Sequence, residues 1–238
     1  MERLLAHRPR SLKTLVTWLA ATNLAVAAVI VALTFLSLQS SKEADQTRAR
    51  ETTENLADSL SIELGAEMKL VDNALATIAL QYGRVASGTS AAAVEMERAI
   101  ADQRSLLAQV DTIRITDAQG NAIYGLPDDK HPIFVGDRDY FLRARTSEDA
   151  VVSEPLFGRG IRSWGIVIAR ALRTADGDFA GIVYTNLSTD HFMEVFKGLT
   201  IGPEGAISLR TASMRLVARY SAAEPHTSRG VGEVTVSQ

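Results

Sequence analysis

From Thr14 to Ser41 the chain carries no charged residue, and Leu15 to Leu38 is almost wholly apolar, interrupted by Asn23 and several threonines. As an α-helix, the 24 residues of Leu15–Leu38 span about 36 Å, enough to cross a hydrocarbon core of roughly 30 Å with some tilt. A cleaved signal peptide has an apolar region of only about 7–15 residues ending in a small-x-small site, and this run is longer and lacks one. It reads as an uncleaved anchor. Residues 1–13 set Arg3, Arg8, Arg10 and Lys13 against Glu2, a net +3 in a chain of net −3, which leaves −6 for the rest. The basic flank places the N-terminus in the cytoplasm and everything after Lys42 outside. A mildly acidic body argues against a nucleic-acid surface. With no cysteine, disulfides, zinc-thiolate sites and cysteine nucleophiles are excluded.

Past the anchor, Lys42 to Tyr82 contains no proline and reads as one long helix. Leu60, Leu64, Val71, Leu75, Ile78 and Tyr82 form its apolar stripe, with Asp58, Glu63, Lys69 and Asp72 on the opposite side. Ser87 to Ser90 break the helix, and Ser90 caps a second one, Ala91 to Gln109. Val110 to Thr116 alternates as a strand, turns through Asp117–Gly120, and pairs with Asn121 to Leu126. Pro127 to Pro132 is a loop.

The segment from Asp137 to Leu187 organises the body of the chain. A short helix, Asp137 to Arg145, precedes three strand-like runs, Ala150–Phe157, Trp164–Leu172 and Phe179–Leu187. Thr174-Ala-Asp-Gly177 is a hairpin turn signal joining the last two as antiparallel neighbours. Trp164, Ile166, Ile168, Arg170 and Leu172 share one strand face; Gly165, Val167, Ala169 and Ala171 share the other. Two apolar faces predict a central strand covered on both sides. Thr189 to Leu199 is a helix capped by Thr189 or Ser188, and Gly202–Gly205 ends it. Ala206 to Tyr220 then repeats the strand–turn–strand of Thr112 to Tyr124, with Ile113 and Ile207 94 positions apart, as though a fold unit began again. A hairpin alone is marginally stable, so this second unit reads as truncated.

Asp137-Arg-Asp-Tyr-Phe141, Val152-Ser-Glu-Pro155, Ile168-Ala-Arg170 and Asp176-Gly-Asp-Phe-Ala-Gly-Ile-Val183, in this order and spacing, resemble the double Cache (PAS-like) sensor ectodomains of bacterial transmembrane receptors. The likeness covers about residues 13–238 and is nearest to the membrane-distal module of GGDEF-type diguanylate cyclases and sensor histidine kinases. It implies an antiparallel sheet flanked by helices that binds small ligands on the face away from the long N-terminal helix. The expected fold is α+β: a basic N-terminus (1–13), a transmembrane helix (14–41), two helices (42–109), a PAS-like module (110–200) and the first hairpin of a second module (201–238). The resemblance implies a bacterial inner-membrane protein with its bulk in the periplasm, and a homodimer in the full-length receptor. The family's amino-acid-binding branch uses Arg-x-Trp-Tyr, then Tyr-x-Asp, then a late Asp. Here these fall on Arg138–Phe141, Leu156–Gly158 and Asn186. The arginine that holds a ligand carboxylate is kept, and both amine-binding carboxylates are missing. The implied ligand is a carboxylate or another small anion rather than an α-amino acid.

The candidate ligand-binding residues are Arg138, Tyr140, Arg162, Trp164, Arg170, Tyr184 and Asn186, with Arg159 and Arg173 adding charge nearby. Trp164 and Tyr140 offer apolar walls with polar tips, although core packing explains them equally well. Most arginines are solvated or paired with acids; Arg170, on the Trp164 face, points inward only if it finds a partner. His131 and His191 lack metal-ligand spacing, and no nucleophile elbow, Walker or Rossmann pattern is present. No catalytic site, cofactor or metal is expected. The reading is a membrane-anchored sensing module, the input domain of a cyclase or histidine kinase. The alternatives are a chemoreceptor ectodomain and a membrane-tethered scaffold that senses nothing.

Overall fold

The computed structural model describes residues 10–84, 90–126, 132–160, 162–224 and 230–234. The basic residues 1–9, the helix break at 85–89 and most of the Pro127–Pro132 loop, His131 included, lie outside them. The chain divides into two compact units, 1–64 and 65–238. Helix α1 (Arg10–Arg84) runs through the division. The sequence reading expected an anchor and a separate long helix. They form one element, because the stretch from Thr14 to Leu64 holds neither glycine nor proline and its polar middle is rich in helix formers.

Within the first unit, the helix is long and apolar enough to cross a membrane, and its apolar window is wholly unburied. The polar interruptions are tolerated because they bond to the helix's own carbonyls. Thr22 Oγ1 donates to Trp18 O at 2.9 Å, Asn23 Nδ2 to Leu19 O at 3.1 Å and Thr34 Oγ1 to Ile30 O at 2.8 Å.

The second unit is built on a six-stranded antiparallel sheet. Its strands are β1 (Ile113–Thr116), β2 (Ala122–Tyr124), β3 (Val151–Val152), β4 (Leu156–Phe157), β5 (Trp164–Arg173) and β6 (Phe179–Ser188). The order is β2-β1-β6-β5-β3, with β4 also paired to β5. The middle strand is therefore β6, and β5, expected to be central, is interior beside it. The β1–β2 turn forms as read, with Asp117 Oδ1 accepting from the amides of Gln119 and Asn121 at 3.0 and 2.8 Å. The expected strand from Ala150 to Phe157 is instead the two short strands β3 and β4. Between them Ser153 Oγ accepts from Val167 N at 2.9 Å in place of a backbone partner, and Pro155 has no N–H to donate.

Helix α2 (Ser90–Ser105) stops short of the expected Gln109, and α3 (Asp139–Thr146) takes Arg138 as its N-cap. On one sheet face Val167, Ala169, Ile182 and Tyr184 pack with Tyr140, Phe141 and Ala144 of α3. The opposite face carries Ile113, Ile115, Ile168 and Leu187, all buried, and there Arg170 reaches Asp72 of α1. Val71, Leu75 and Ile78 of the α1 stripe are fully buried. Helix α4 (Thr189–Lys197) begins where Ser188 Oγ accepts from His191 N at 3.2 Å, as the capping reading expected. The repeated hairpin exists as β7 (Ala206–Arg210) and β8 (Leu216–Ser221). It packs against α4, and Thr189 Oγ1 donates to Val217 O at 3.2 Å.

Candidate functional site

Strand alternation decides which side chains meet. Cα pairing sets Arg114 of β1 opposite Tyr184 of β6, and Asn186 of β6 opposite Val167 of β5. Arg114, Tyr184 and Asn186 thus stand side by side on the face that α3 covers. Together with Ile133, Val135, Arg138, Tyr140, Leu156, Gly158, Arg159, Gly160 and Val167 they line one cavity of about 20 Å³. That is room for about one water.

Two glycines shape it. A Cβ on Gly165 would lie 2.2 Å from Leu187 O and 3.0 Å from Asn186 Nδ2, so its absence leaves space for the amide. A Cβ on Gly160 would lie 2.8 Å from Arg114 Nη1, so the loop backbone rests directly on that guanidinium.

The polar inventory of the cavity is unbalanced. Arg114, Tyr184 and Asn186 are 4%, 5% and 5% exposed. Arg114 Nε, Tyr184 Oη and both amide atoms of Asn186 have no hydrogen-bond partner among the described residues. Arg114 lacks a carboxylate partner among them as well. Leaving a buried guanidinium uncompensated costs several kcal/mol, and each orphaned neutral group costs about 1–3 kcal/mol. Four such atoms belong to residues that line one space with room for about one water.

Arg159 is different. It forms a two-point ion pair with Asp137 at 2.7 and 2.8 Å and donates to Phe134 O at 2.9 Å. This pairing holds the Asp137 carboxyl below the usual carboxylate range and the Arg159 guanidinium above its own. Arg138 sits at the cavity edge, its Nη2 donating to Phe157 O at 3.4 Å, its one side-chain hydrogen bond among the described residues. The rings of Tyr140 and Tyr184 lie 5.9 Å apart. Burial pushes both phenols to higher pKa; the nearby Arg114, outside good hydrogen-bonding geometry, opposes this at Tyr184.

Of the residues singled out from the sequence, Arg138, Tyr140, Tyr184 and Asn186 line the cavity, and Arg162, Trp164 and Arg170 do not. Arg162 is exposed, in a left-handed conformation with φ 52°. Trp164 is partly exposed and packs edge-on against Phe157, with ring centroids 6.1 Å apart. Arg170 points to the opposite sheet face. Its Nε and Nη2 bond Asp72 at 2.6 and 3.3 Å and its Nη1 bonds Glu148 O at 3.2 Å. The inward arginine found its partner on α1, and Asp72, read as part of the solvent side of that helix, supplies it. Arg114 was missed. The signal was there: in Ile113-Arg-Ile115 the alternation puts the arginine opposite two core isoleucines, on the other sheet face. Among the described residues no cluster of His, Asp and Glu could hold a metal ion.

No protein-family model matches the sequence, and no curated protein matches it. The structure does find relatives. It matches the extracellular domain of rpHK1S-Z16, described as a histidine kinase, with TM-score 0.66 and 25% identity, over 77% of this chain and 75% of that one. It matches an extracellular ligand-binding receptor from Desulfohalobium retbaense with TM-score 0.60 and 16% identity, over 74% and 31% of the two chains. A third match is the ligand-binding domain of the Campylobacter jejuni chemoreceptor Tlp3, in complex with 4-methylisoleucine. There the TM-score is 0.56 and the identity 11%, over 72% and 70% of the two chains. The fold is that of an extracellular ligand-binding sensor domain of the Cache type, and the apolar helix before it fits a single-pass membrane protein.

Proposed function

We propose that this chain senses a small carboxylate or a similar small anion outside the inner membrane, as the non-enzymatic input module of a dimeric receptor. The observation that carries the reading is the cavity between α3 and the sheet. It is lined by three arginines and no aspartate or glutamate, and among the described residues only Arg159 of the three is matched by an acid. An anion entering it supplies the charge that Arg114 lacks. An α-amino acid, such as the one in the Tlp3 complex, brings an ammonium group for which the lining offers no carboxylate. The basic flank before Thr14 supports an N-terminus inside and a periplasmic sensor. Both histidine kinases and chemoreceptors carry domains of this fold, and a cyclase output remains part of the sequence reading.

The test is a calorimetric titration of the full chain in lipid nanodiscs against small organic acids and against amino acids. Acids are expected to bind and amino acids to give no heat. Arg138→Ala removes a charge-assisted contact worth about 2–5 kcal/mol and is expected to abolish measurable binding without changing the melting temperature. Binding of several α-amino acids, or unchanged affinity in Arg138→Ala, overturns the proposal.

A further inference from the structure

The orphaned atoms at the cavity floor carry more chemistry than a charge requirement, once the site is taken, as proposed, to hold an anion. Arg114 Nε–H and Asn186 Nδ2–H are donors, and Tyr184 Oη–H can donate. Asn186 Oδ1 can only accept. Because both amide atoms are unpartnered, this inventory holds whichever way the amide is turned. A carboxylate satisfies the donors but leaves Oδ1 bare. The complement of the whole set is a carboxylate with a donor beside it, and that donor is neutral, because the acceptor is an amide rather than a carboxylate. A hydroxyl on the adjacent carbon meets both conditions.

The geometry points to a short 2-hydroxycarboxylate as the ligand, its carboxylate on Arg114, Tyr184 and the Asn186 amide nitrogen, and its hydroxyl donating to Asn186 Oδ1. Arg114, only 4% exposed and pressed under Gly160, is then the floor of the site and a specificity-determining residue alongside Arg138. The apolar walls Val135, Leu156 and Val167 take the carbon chain. The space of about 20 Å³, room for about one water, favours the shortest such acids and requires the lining to yield as they enter, with Arg138 at the cavity edge staying in reach of the carboxylate.

The experiment is calorimetry on the full chain in nanodiscs with glycolate, L-lactate, acetate, propionate and glycine as the probes. Glycolate and lactate are expected to bind about 10- to 100-fold more tightly than acetate and propionate, because the desoxy acids leave a buried acceptor unpaired. Glycine is expected not to bind. Asn186→Asp is expected to turn the preference round, so that glycine binds and glycolate does not; a gain of binding cannot come from misfolding. If acetate binds as tightly as glycolate, the hydroxyl assignment fails while the anion reading stands. If none of the four acids binds, or wild-type protein prefers glycine, both fail. An Asn186→Asp variant that still prefers glycolate overturns the placement of the hydroxyl on Asn186.

Discussion

Tyr140 and Tyr184 show at the residue scale what burial does to a group that has no partner. Both phenols are pushed above the ordinary tyrosine value of about 10, Tyr140 first by burial and then by Tyr184 beside it. The folded state therefore holds protons that the unfolded chain has released once the pH exceeds about 10. Stability from these groups is fully present below that pH and is lost as the pH rises toward the folded values. Absorbance at 295 nm should show Tyr140 and Tyr184 still protonated in the folded chain at a pH where they ionise in denaturant. Tyr140→Phe and Tyr184→Phe should each remove one of the resistant groups. Titration of both before unfolding would contradict the burial.

At the scale of elements, β5 and β6 connect the two sides of the sheet. Val167 and Asn186 face the cavity, and Arg170, three residues along β5 from Val167, is fastened to Asp72 on α1. One strand thus carries both a cavity-lining side chain and the ion pair to α1. The ion pair itself is modest. Its side chains are 22% and 31% exposed, so water screens part of the attraction, and a double-mutant cycle of Asp72→Ala and Arg170→Met should give a coupling of about 1 kcal/mol. Coupling indistinguishable from zero in urea unfolding would show that the pair only decorates the contact. The same element scale explains the broken strand from Ala150 to Phe157. Its composition suits a strand, but Pro155 interrupts the ladder and Ser153 substitutes a hydroxyl for a backbone acceptor, which leaves two short pieces.

For the whole molecule, the decisive quantity is the length of the uncharged run against its flanks. A helix whose apolar window is entirely unburied fits a membrane span, and the proposed orientation, N-terminus inside, rests on the net +3 before Thr14. Alkaline phosphatase fused after residue 60 is therefore expected to be active, and a cytoplasmic reporter at the same point silent. The reverse pattern, or a mature chain beginning beyond residue 38, would remove the anchor from the account.

Much of this was legible along the chain because it depends on local patterning. Strand alternation, the Asp176-Gly177 hairpin, the caps at Ser188 and the apolar run are each properties of neighbouring residues, and the antiparallel α+β layout came from them. The likeness carried by Asp137–Phe141 also brought Arg138, Tyr140 and Asn186 to one place, which periodicity alone could not have done. Tertiary structure decided the rest. Whether an arginine meets a ligand or an aspartate depends on which element crosses its sheet face. Arg170 lies under α1 and is neutralised by Asp72, whereas Arg114, unremarkable between two isoleucines, lies under Gly160 on the α3 face, with no acid in reach among the described residues. Alternation assigns a side chain to a face; only the packing of distant segments fixes what covers that face, and so which charges are left for a ligand to balance.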